Sequence, residues 1–186
     1  MPSLRKDFVI AAALILVAGS MKALTHPHSI SPIIAISLFS GAMINDKRLS
    51  FLLPLLAMLC SDIMLEVFQI APGFYGLGQI GNYLSLLFVT LLGFMIRKIN
   101  VLTVTGFSVL SSLLFYVLSN TNCFLFDTTG FYGTGFNGYL YCMELGLPFI
   151  RNGLAIDLVF AWLLFGSYVL VFKQSATARS VNKTAY

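Results

Sequence analysis

The chain has 186 residues, of which 58% are hydrophobic and 10% are charged, and its mean hydropathy is +0.90. Soluble domains are about 45–50% apolar and about 25% charged, so this composition excludes an ordinary soluble protein. A net charge of +4 would favour nucleic-acid binding in a soluble chain, but in a membrane protein such an excess belongs to cytoplasmic loops. The sequence therefore predicts a polytopic membrane protein whose partner is the lipid bilayer and not a nucleic acid.

Six apolar stretches of near-spanning length follow one another along the chain. They cover about residues 8–24, 31–45, 50–70, 80–96, 101–119 and 148–172. A transmembrane helix needs roughly 17–25 residues, so the stretch 31–45 is short and is compatible with a buried or partly re-entrant helix. The predicted fold class is all-α: a polytopic bundle of about six transmembrane helices in a single domain, residues 1–172, with a polar cytoplasmic tail, residues 173–186.

Two stretches allow more than one interpretation. Arg5 and Lys6 before an apolar run also occur in signal peptides, but Lys22 and the lack of a small-x-small cleavage site favour a retained helix. The connection 120–147 is rich in glycine and aromatic residues. We expect it to fold back over the outer end of the bundle, with its aromatic side chains at the membrane interface.

Basic residues are distributed unevenly among the connections. Those in alternate connections are Arg5, Lys6, Lys47, Arg48, Arg97, Lys98, Lys173, Arg179 and Lys183. The remaining connections hold only Lys22 and Arg151. Because cytoplasmic loops of membrane proteins are enriched in Lys and Arg, this pattern puts both termini in the cytoplasm and favours an even number of spans.

Most polar residues in or beside the spans fall on the outer half of the predicted bundle. Asp62 and Glu66 are four residues apart and therefore lie on one helix face. Ionisable groups within a span usually face a protein interior or a watery cavity, so we predict an outward-facing small-molecule site between the helices. Its predicted residues are Asp62, Glu66, Arg151, Asn152 and Asp157, with His26 and His28 at the rim.

The same charged residues have a purely structural interpretation. Lys22, Asp62, Arg151 and Asp157 could pair with one another, in which case the protein would be a structural or assembly subunit of a larger membrane complex. A third hypothesis is an intramembrane enzyme that uses the Asp62/Glu66 pair. No nucleophile or cofactor motif accompanies that pair, so we do not expect an enzyme, and the sequence identifies no cofactor.

Histidine and cysteine residues leave the question of a metal open. His26 and His28 could ligate a metal together with a carboxylate of the third span, or could simply cap the loop. Cys60 could be a soft ligand or could pack within its helix. Cys123 and Cys142 share the outer connection and could form a disulfide in an oxidising compartment.

Two blocks of the sequence carry a recognisable pattern. The first contains His26-Pro27-His28-Ser29-Ile30-Ser31-Pro32-Ile33, Leu38-Phe39-Ser40-Gly41-Ala42 and Pro54-Leu55-Leu56-Ala57-Met58 before Ser61-Asp62. The second contains Pro148-Phe149-Ile150-Arg151-Asn152, Asp157-Leu158 and Leu164-Phe165-Gly166. These blocks resemble an uncharacterised bacterial membrane protein family. That family is similar to the S components of energy-coupling-factor (ECF) vitamin transporters and to solitary cobalamin transporters of the BtuM type.

The resemblance implies a multi-pass protein of the bacterial inner membrane with six helices. Such a protein would bind a vitamin-like or metal-like micronutrient from the outer side, with an energising transporter module as a further partner. The leading hypothesis is accordingly a substrate-binding or transport protein.

Overall fold

The structure of the protein is a computed structural model that describes residues 32–74 and 76–183, with side-chain surroundings through residue 170. The described residues form five helices. They are α1 (Ile33–Met43), α2 (Lys47–Val67), α3 (Leu77–Phe94), α4 (Val101–Leu125) and α5 (Gly135–Lys183). The all-α prediction is confirmed for this part of the chain, and α2 to α5 are each long and apolar enough to cross a membrane. The first predicted span, residues 8–24, lies outside the described residues.

The short helix α1 lies at the centre of the bundle. Its 11 residues span only about 16 Å, roughly half the thickness of a bilayer's hydrocarbon core. It packs against all four of the other described helices. Its buried residues face every side: Ile33, Ala35, Ile36, Ser37, Leu38, Phe39, Ser40 and Gly41. A helix that is apolar all round belongs inside a bundle, which explains why α1 shows no distinct polar face.

Polar side chains form hydrogen bonds with backbone groups at the turn between α1 and α2. The Asp46 Oδ1 atom accepts hydrogen bonds from the backbone N–H groups of Arg48 (2.8 Å) and Leu49 (3.4 Å), which caps the start of α2. Within the bundle, the Ser40 hydroxyl lies 2.9 Å from the backbone carbonyl oxygen of Ser50. Side-chain hydrogen bonds from the turn itself and from α1 therefore stabilise this connection. It lies at the basic segment, as the sequence predicts.

Helices α1 and α3 approach each other closely at a pair of glycines. A Cβ atom added to Gly41 would collide with the backbone carbonyl oxygen of Thr90, and one added to Gly93 would collide with that of Leu38. Small residues permit such close backbone contact between helices in membranes, where van der Waals packing drives association. The contact sets the distance between the central helix and α3.

The connection between α4 and α5 is shorter than the sequence predicted. We expected residues 120–147 to be a loop, but α4 continues to Leu125 and α5 begins at Gly135. Two glycines in the segment 135–147 allow close packing, one against α4 and one against the preceding connection. A Cβ on Gly146 would meet the Asn120 side chain, and one on Gly138 would lie 2.8 Å from the backbone of Gly133. The abundance of glycine therefore suggested a loop where the chain forms a closely packed helix.

Helix α5 is also longer than the predicted span 148–172. Its apolar part, Gly135–Leu170, has 36 residues and would extend about 54 Å, well beyond a hydrocarbon core of about 30 Å. A helix of this length must tilt or project from the bilayer. The backbone of α5 continues to Lys183, so residues 173–183 of the predicted tail are helical.

The connections of the described bundle segregate by charge. The α1–α2 turn carries Lys47 and Arg48, and the α3–α4 turn carries Arg97 and Lys98. Because successive helices reverse direction, these two turns lie at one end of the bundle. The connection 126–134 lies at the opposite end and contains no Lys or Arg. The helices therefore place both basic turns at the same end of the bundle, as the alternating charge pattern of the sequence predicts.

We predict that Gly41→Ala destabilises the bundle by about 1–3 kcal/mol, because the added methyl group forces α1 and α3 apart. The measurement is thermal unfolding of the purified protein in detergent. Gly106→Ala in α4 is the matched control, since a Cβ there meets nothing within 4 Å. Its higher helix propensity should leave stability equal or raise it by up to about 1 kcal/mol. Equal stability of Gly41→Ala and wild type would contradict the close contact.

Candidate functional site

A cavity of about 510 Å³ lies between the helices, toward the end of the bundle where α3 begins and α4 ends. All five described helices contribute to its wall. The lining residues are Ile33, Ile34, Met58, Gly78, Asn82, Leu86, Ser112, Phe115, Tyr116, Ser119, Asn120, Asn122, Cys123, Phe126, Gly146, Phe149, Ile150, Gly153, Leu154 and Asp157. Its volume falls within the range of roughly 300–1,000 Å³ that small-molecule sites occupy.

Helix α4 supplies the main polar wall of the cavity. Ser112, Tyr116 and Ser119 follow one another at spacings of four and three residues, which places them on a single helix face. Asn120 and Asn122 extend this wall toward the end of the helix. Phe115, Phe126 and Phe149 are among the apolar lining residues that complete the wall. The result is an amphipathic cavity, with polar groups concentrated on α4 and an apolar remainder.

Asp157 of α5 is the carboxylate of this cavity. Its side chain is 1% exposed, and its Oδ2 atom lies 2.7 Å from the Ser112 hydroxyl, which donates to it. Carboxylates within a membrane span are costly and generally face a bundle interior or a cavity. Asp157 does both, since it is buried between α4 and α5 and lines the cavity.

The polar lining side chains of α4 donate their hydrogen bonds to other protein groups. Asn120 donates to the backbone carbonyl of Tyr116 at 2.8 Å, and the Ser119 hydroxyl lies 3.3 Å from the same oxygen. The Tyr116 hydroxyl donates to the backbone carbonyl of Met143, and Asn122 donates to that of Gly78. These bonds hold the wall in place and engage much of its donor capacity.

Asp62, the first predicted site residue, is buried in a different environment. Its Oδ2 atom accepts hydrogen bonds from the Gln79 amide and the Tyr83 hydroxyl, each at 2.8 Å. The Gln79 amide also donates to the backbone carbonyl of Gly73 at 3.1 Å. Asp62 is thus bound between α2 and α3 and is not among the residues that line the cavity.

Glu66 lies one turn further along α2 and belongs to the same region. Its Oε2 atom accepts a hydrogen bond from the backbone N–H of Gly73 at 2.8 Å, although the side chain is exposed. A Cβ on Gly73 would clash with the Asp62 backbone, so only glycine fits against this turn of α2. The two carboxylates that share a helix face therefore secure the connection between α2 and α3.

The remaining predicted site residues are placed as follows. Arg151 and Asn152 are exposed on α5 and do not line the cavity. His26 and His28 lie outside the described residues. Among the predicted residues that the structure describes, Asp157 is thus the one brought to the cavity. Asp157 lies on the buried face of α5, whereas Arg151 and Asn152 lie on its exposed face.

The sequence interpretation missed the polar wall of α4. Asn120 and Asn122 were not among the predicted site residues because residues 120–147 were interpreted as a loop. Tyr116 lies within the predicted span 101–119 and was not singled out there. A signal was nevertheless present: Ser112, Tyr116, Ser119 and Asn120 form a polar stripe along one face of the helix. Such a stripe at helical spacing marks a face turned away from lipid.

All three cysteines are free thiols. The Cys123 sulfur lies 3.4 Å from the Tyr132 hydroxyl, and the buried Cys142 sulfur lies 3.4 Å from the backbone carbonyl oxygen of Asn120. Cys60 is half-buried in α2 and does not line the cavity. Within residues 32–74 and 76–183, no group of three His, Cys, Asp or Glu side chains is arranged to hold a metal ion.

The connection 126–134 next to the cavity is organised by Asp127. Its Oδ1 atom accepts from the Thr129 hydroxyl (2.7 Å) and backbone N–H (3.0 Å), and its Oδ2 atom accepts from the Tyr132 backbone N–H (3.0 Å). These bonds, that from the Thr129 hydroxyl above all, lower the pKa of Asp127 below its ordinary value. The hydrogen bond with Cys123 and partial burial raise the pKa of the Tyr132 hydroxyl.

Membrane-length helices around an interior cavity indicate a polytopic helical membrane protein. The chain belongs to a family of unknown function, DUF6580, whose sequence profile matches residues 2–180. No curated protein and no solved structure matches the chain.

We predict energetic coupling between Asp62 and Tyr83. Asp62→Ala and Tyr83→Phe should each lower the free energy of unfolding in detergent, by about 1–3 kcal/mol for the carboxylate, whose removal leaves buried donors unsatisfied. The double variant should lose less than the sum of the single losses, by roughly 0.5–3 kcal/mol. If the two losses in unfolding free energy are strictly additive, the hydrogen bond between α2 and α3 does not contribute to stability.

We predict that the connection 126–134 loosens in acid. The folded pKa of Asp127 is depressed, so its hydrogen bonds contribute fully above the ordinary carboxyl pKa and are lost as the pH falls through the lower folded value. Amide exchange at Thr129 and Tyr132, corrected for intrinsic rates, should therefore accelerate at low pH in wild type. Asp127→Asn should show the accelerated exchange already at pH 7. Equal protection in both proteins at pH 7 would contradict this role.

Proposed function

We propose that this protein is a bacterial inner-membrane protein that binds a small micronutrient in the cavity between its helices and carries it across the membrane. The observation that carries the proposal is the cavity of about 510 Å³, walled by the polar face of α4 and containing the buried carboxylate of Asp157. A packed scaffold gains nothing from a hollow of this size, because voids forfeit packing energy. Burying the Asp157 carboxylate costs desolvation energy, and a ligand that fills the adjacent cavity would explain why both features are present.

The charge pattern supports an outward-facing site. The cavity lies toward the end of the bundle opposite Lys47, Arg48, Arg97 and Lys98. If these basic turns are cytoplasmic, as is usual, the cavity lies on the extracytoplasmic half of the membrane. The proposed topology has six spans, the first being residues 8–24, and both termini in the cytoplasm.

The sequence resembles an uncharacterised membrane protein family that is similar to transporter S components, which supports the same function and suggests an energising partner. The chain contains no nucleotide-binding P-loop sequence, so ATP would have to act through another protein or a gradient would have to drive transport. The proposed partners are therefore a small-molecule ligand, the bilayer and an energising transporter module.

A structural or assembly subunit of a membrane complex is the second candidate. It is favoured by the environment of Asp62, whose carboxylate is bound to Gln79 and Tyr83 and joins α2 to α3 without lining the cavity described above. In this case the buried polar groups would serve helix association alone, and charge variants would impair folding instead of ligand binding.

The test fills the cavity without disturbing the helices. Gly153 lines the cavity, and a Cβ atom there meets nothing within 4 Å, so Gly153→Leu places its side chain in open space. Gly166→Leu is the matched control, since Gly166 lies on the same helix, does not line the cavity, and an added Cβ atom there also meets nothing within 4 Å. Native mass spectrometry of each purified protein detects small molecules that remain bound.

We expect wild type and Gly166→Leu to retain the same bound small molecule, and Gly153→Leu to lose it by roughly tenfold or more at unchanged thermal stability. Equal occupancy in Gly153→Leu, or no bound molecule in any of the three proteins, would contradict a ligand cavity. The assembly-subunit hypothesis predicts instead a constant protein partner and no small molecule.

A further inference from the structure

We propose that the ligand of this cavity carries a protonated or quaternary nitrogen that sits against Asp157, attached to an apolar or aromatic body. This inference rests on the proposed function and specifies the chemical class of the substrate. Three features of the cavity lead to it: the sign of its charge, the direction of its hydrogen bonds and the composition of its wall.

The first feature is the charge of the wall. Asp157 is the one carboxylate among the lining residues that the structure describes, and that same set contains no Lys, Arg or His. Arg151, on the same helix, is exposed and does not line the cavity. A carboxylate in low-dielectric surroundings attracts a cation strongly and repels an anion, so an acidic ligand would be rejected.

The second feature is the direction of the hydrogen bonds. The hydroxyl of Ser112 has two acceptors within reach, Asp157 Oδ2 at 2.7 Å and the backbone carbonyl of Ser108 at 3.1 Å, and the hydroxyl of Tyr116 donates to the carbonyl of Met143. Asn120 and Asn122 each direct one amide N–H to a backbone carbonyl. Much of the donor capacity of the wall is thus engaged within the protein, whereas a carboxylate has acceptor sites for several donors and Asp157 receives one described hydrogen bond. The cavity therefore favours a ligand that brings donors.

The third feature is the apolar remainder of the wall. Phe115, Phe126 and Phe149 contribute aromatic rings, and Ile33 and Leu86 contribute aliphatic surface. Such surface favours an apolar or aromatic body, and aromatic faces also attract cations. The cavity is larger than a single ammonium group requires, so the nitrogen would be one end of a larger amphipathic molecule.

Pairs of aromatic probes that differ in a single group test the inference. Pyridoxamine and pyridoxine, tyramine and tyrosol, and tryptamine and tryptophol each share a ring system, and one member has an amine where the other has a hydroxyl. Binding to the full chain in detergent at pH 7 is measured by isothermal titration calorimetry. We expect the amine to bind more tightly than its alcohol by roughly tenfold in the pairs that bind, which corresponds to about 1.4 kcal/mol.

Asp157→Asn is the diagnostic variant, because it keeps the shape of the side chain and a hydrogen bond to Ser112 but removes the charge. It should abolish the preference for the amine while leaving the affinity for the alcohol within a few-fold. Glu144→Gln is the matched control, since Glu144 is an exposed carboxylate of the same helix that does not line the cavity. It should bind like wild type.

Equal or tighter binding of the alcohols by wild type would overturn the inference, as would an amine preference that survives in Asp157→Asn. Failure of all three amines to bind wild type would overturn it as well. None of these results decides whether the protein binds a small molecule at all, because that question depends on the molecule retained by wild type and lost from Gly153→Leu.

Discussion

The burial of α1 is the constraint on which the rest of the bundle depends. A helix of 11 residues is too short to cross a bilayer and too apolar to sit in water, so it must be enclosed by longer helices. The paired glycines Gly41 and Gly93 bring α3 against it at backbone distance, while α2, α4 and α5 contact its other sides. The cavity lies next to the first turn of α1, where Ile33 and Ile34 form part of its wall.

Two buried carboxylates in this structure solve the same energetic problem in different ways. Removing a carboxylate from water is costly unless hydrogen bonds or a cation compensate for the loss. Asp62 obtains hydrogen bonds from Gln79 and Tyr83 and thereby connects α2 to α3. Asp157 has one described hydrogen bond, from Ser112, and faces a cavity instead of a packed neighbour. The first arrangement is what a structural role requires, and the second leaves room for a molecule that completes the compensation.

Several features of the candidate site could be predicted from the sequence, but its composition could not. The four-residue spacing of Asp62 and Glu66 was enough to place both on one face of α2. It could not show that this face meets Gly73 and the start of α3 instead of the cavity. The interpretation of residues 120–147 as a loop holds only for residues 126–134, for a related reason. Glycine weakens an isolated helix, yet in a packed bundle it allows neighbouring helices to approach.

The sequence by itself determined the helical class, the membrane character and the positions of the basic turns. These are local properties, because hydropathy, helix length and the charge of a short connection depend on residues close together in the chain. Only the tertiary structure decided that α1 is central, that α4 provides the polar wall, and that Asp157 reaches the cavity while Arg151 does not. Those outcomes depend on the rotation of each helix about its axis and on its distance from helices remote in sequence. Interhelical packing fixes both, and no short segment encodes either one.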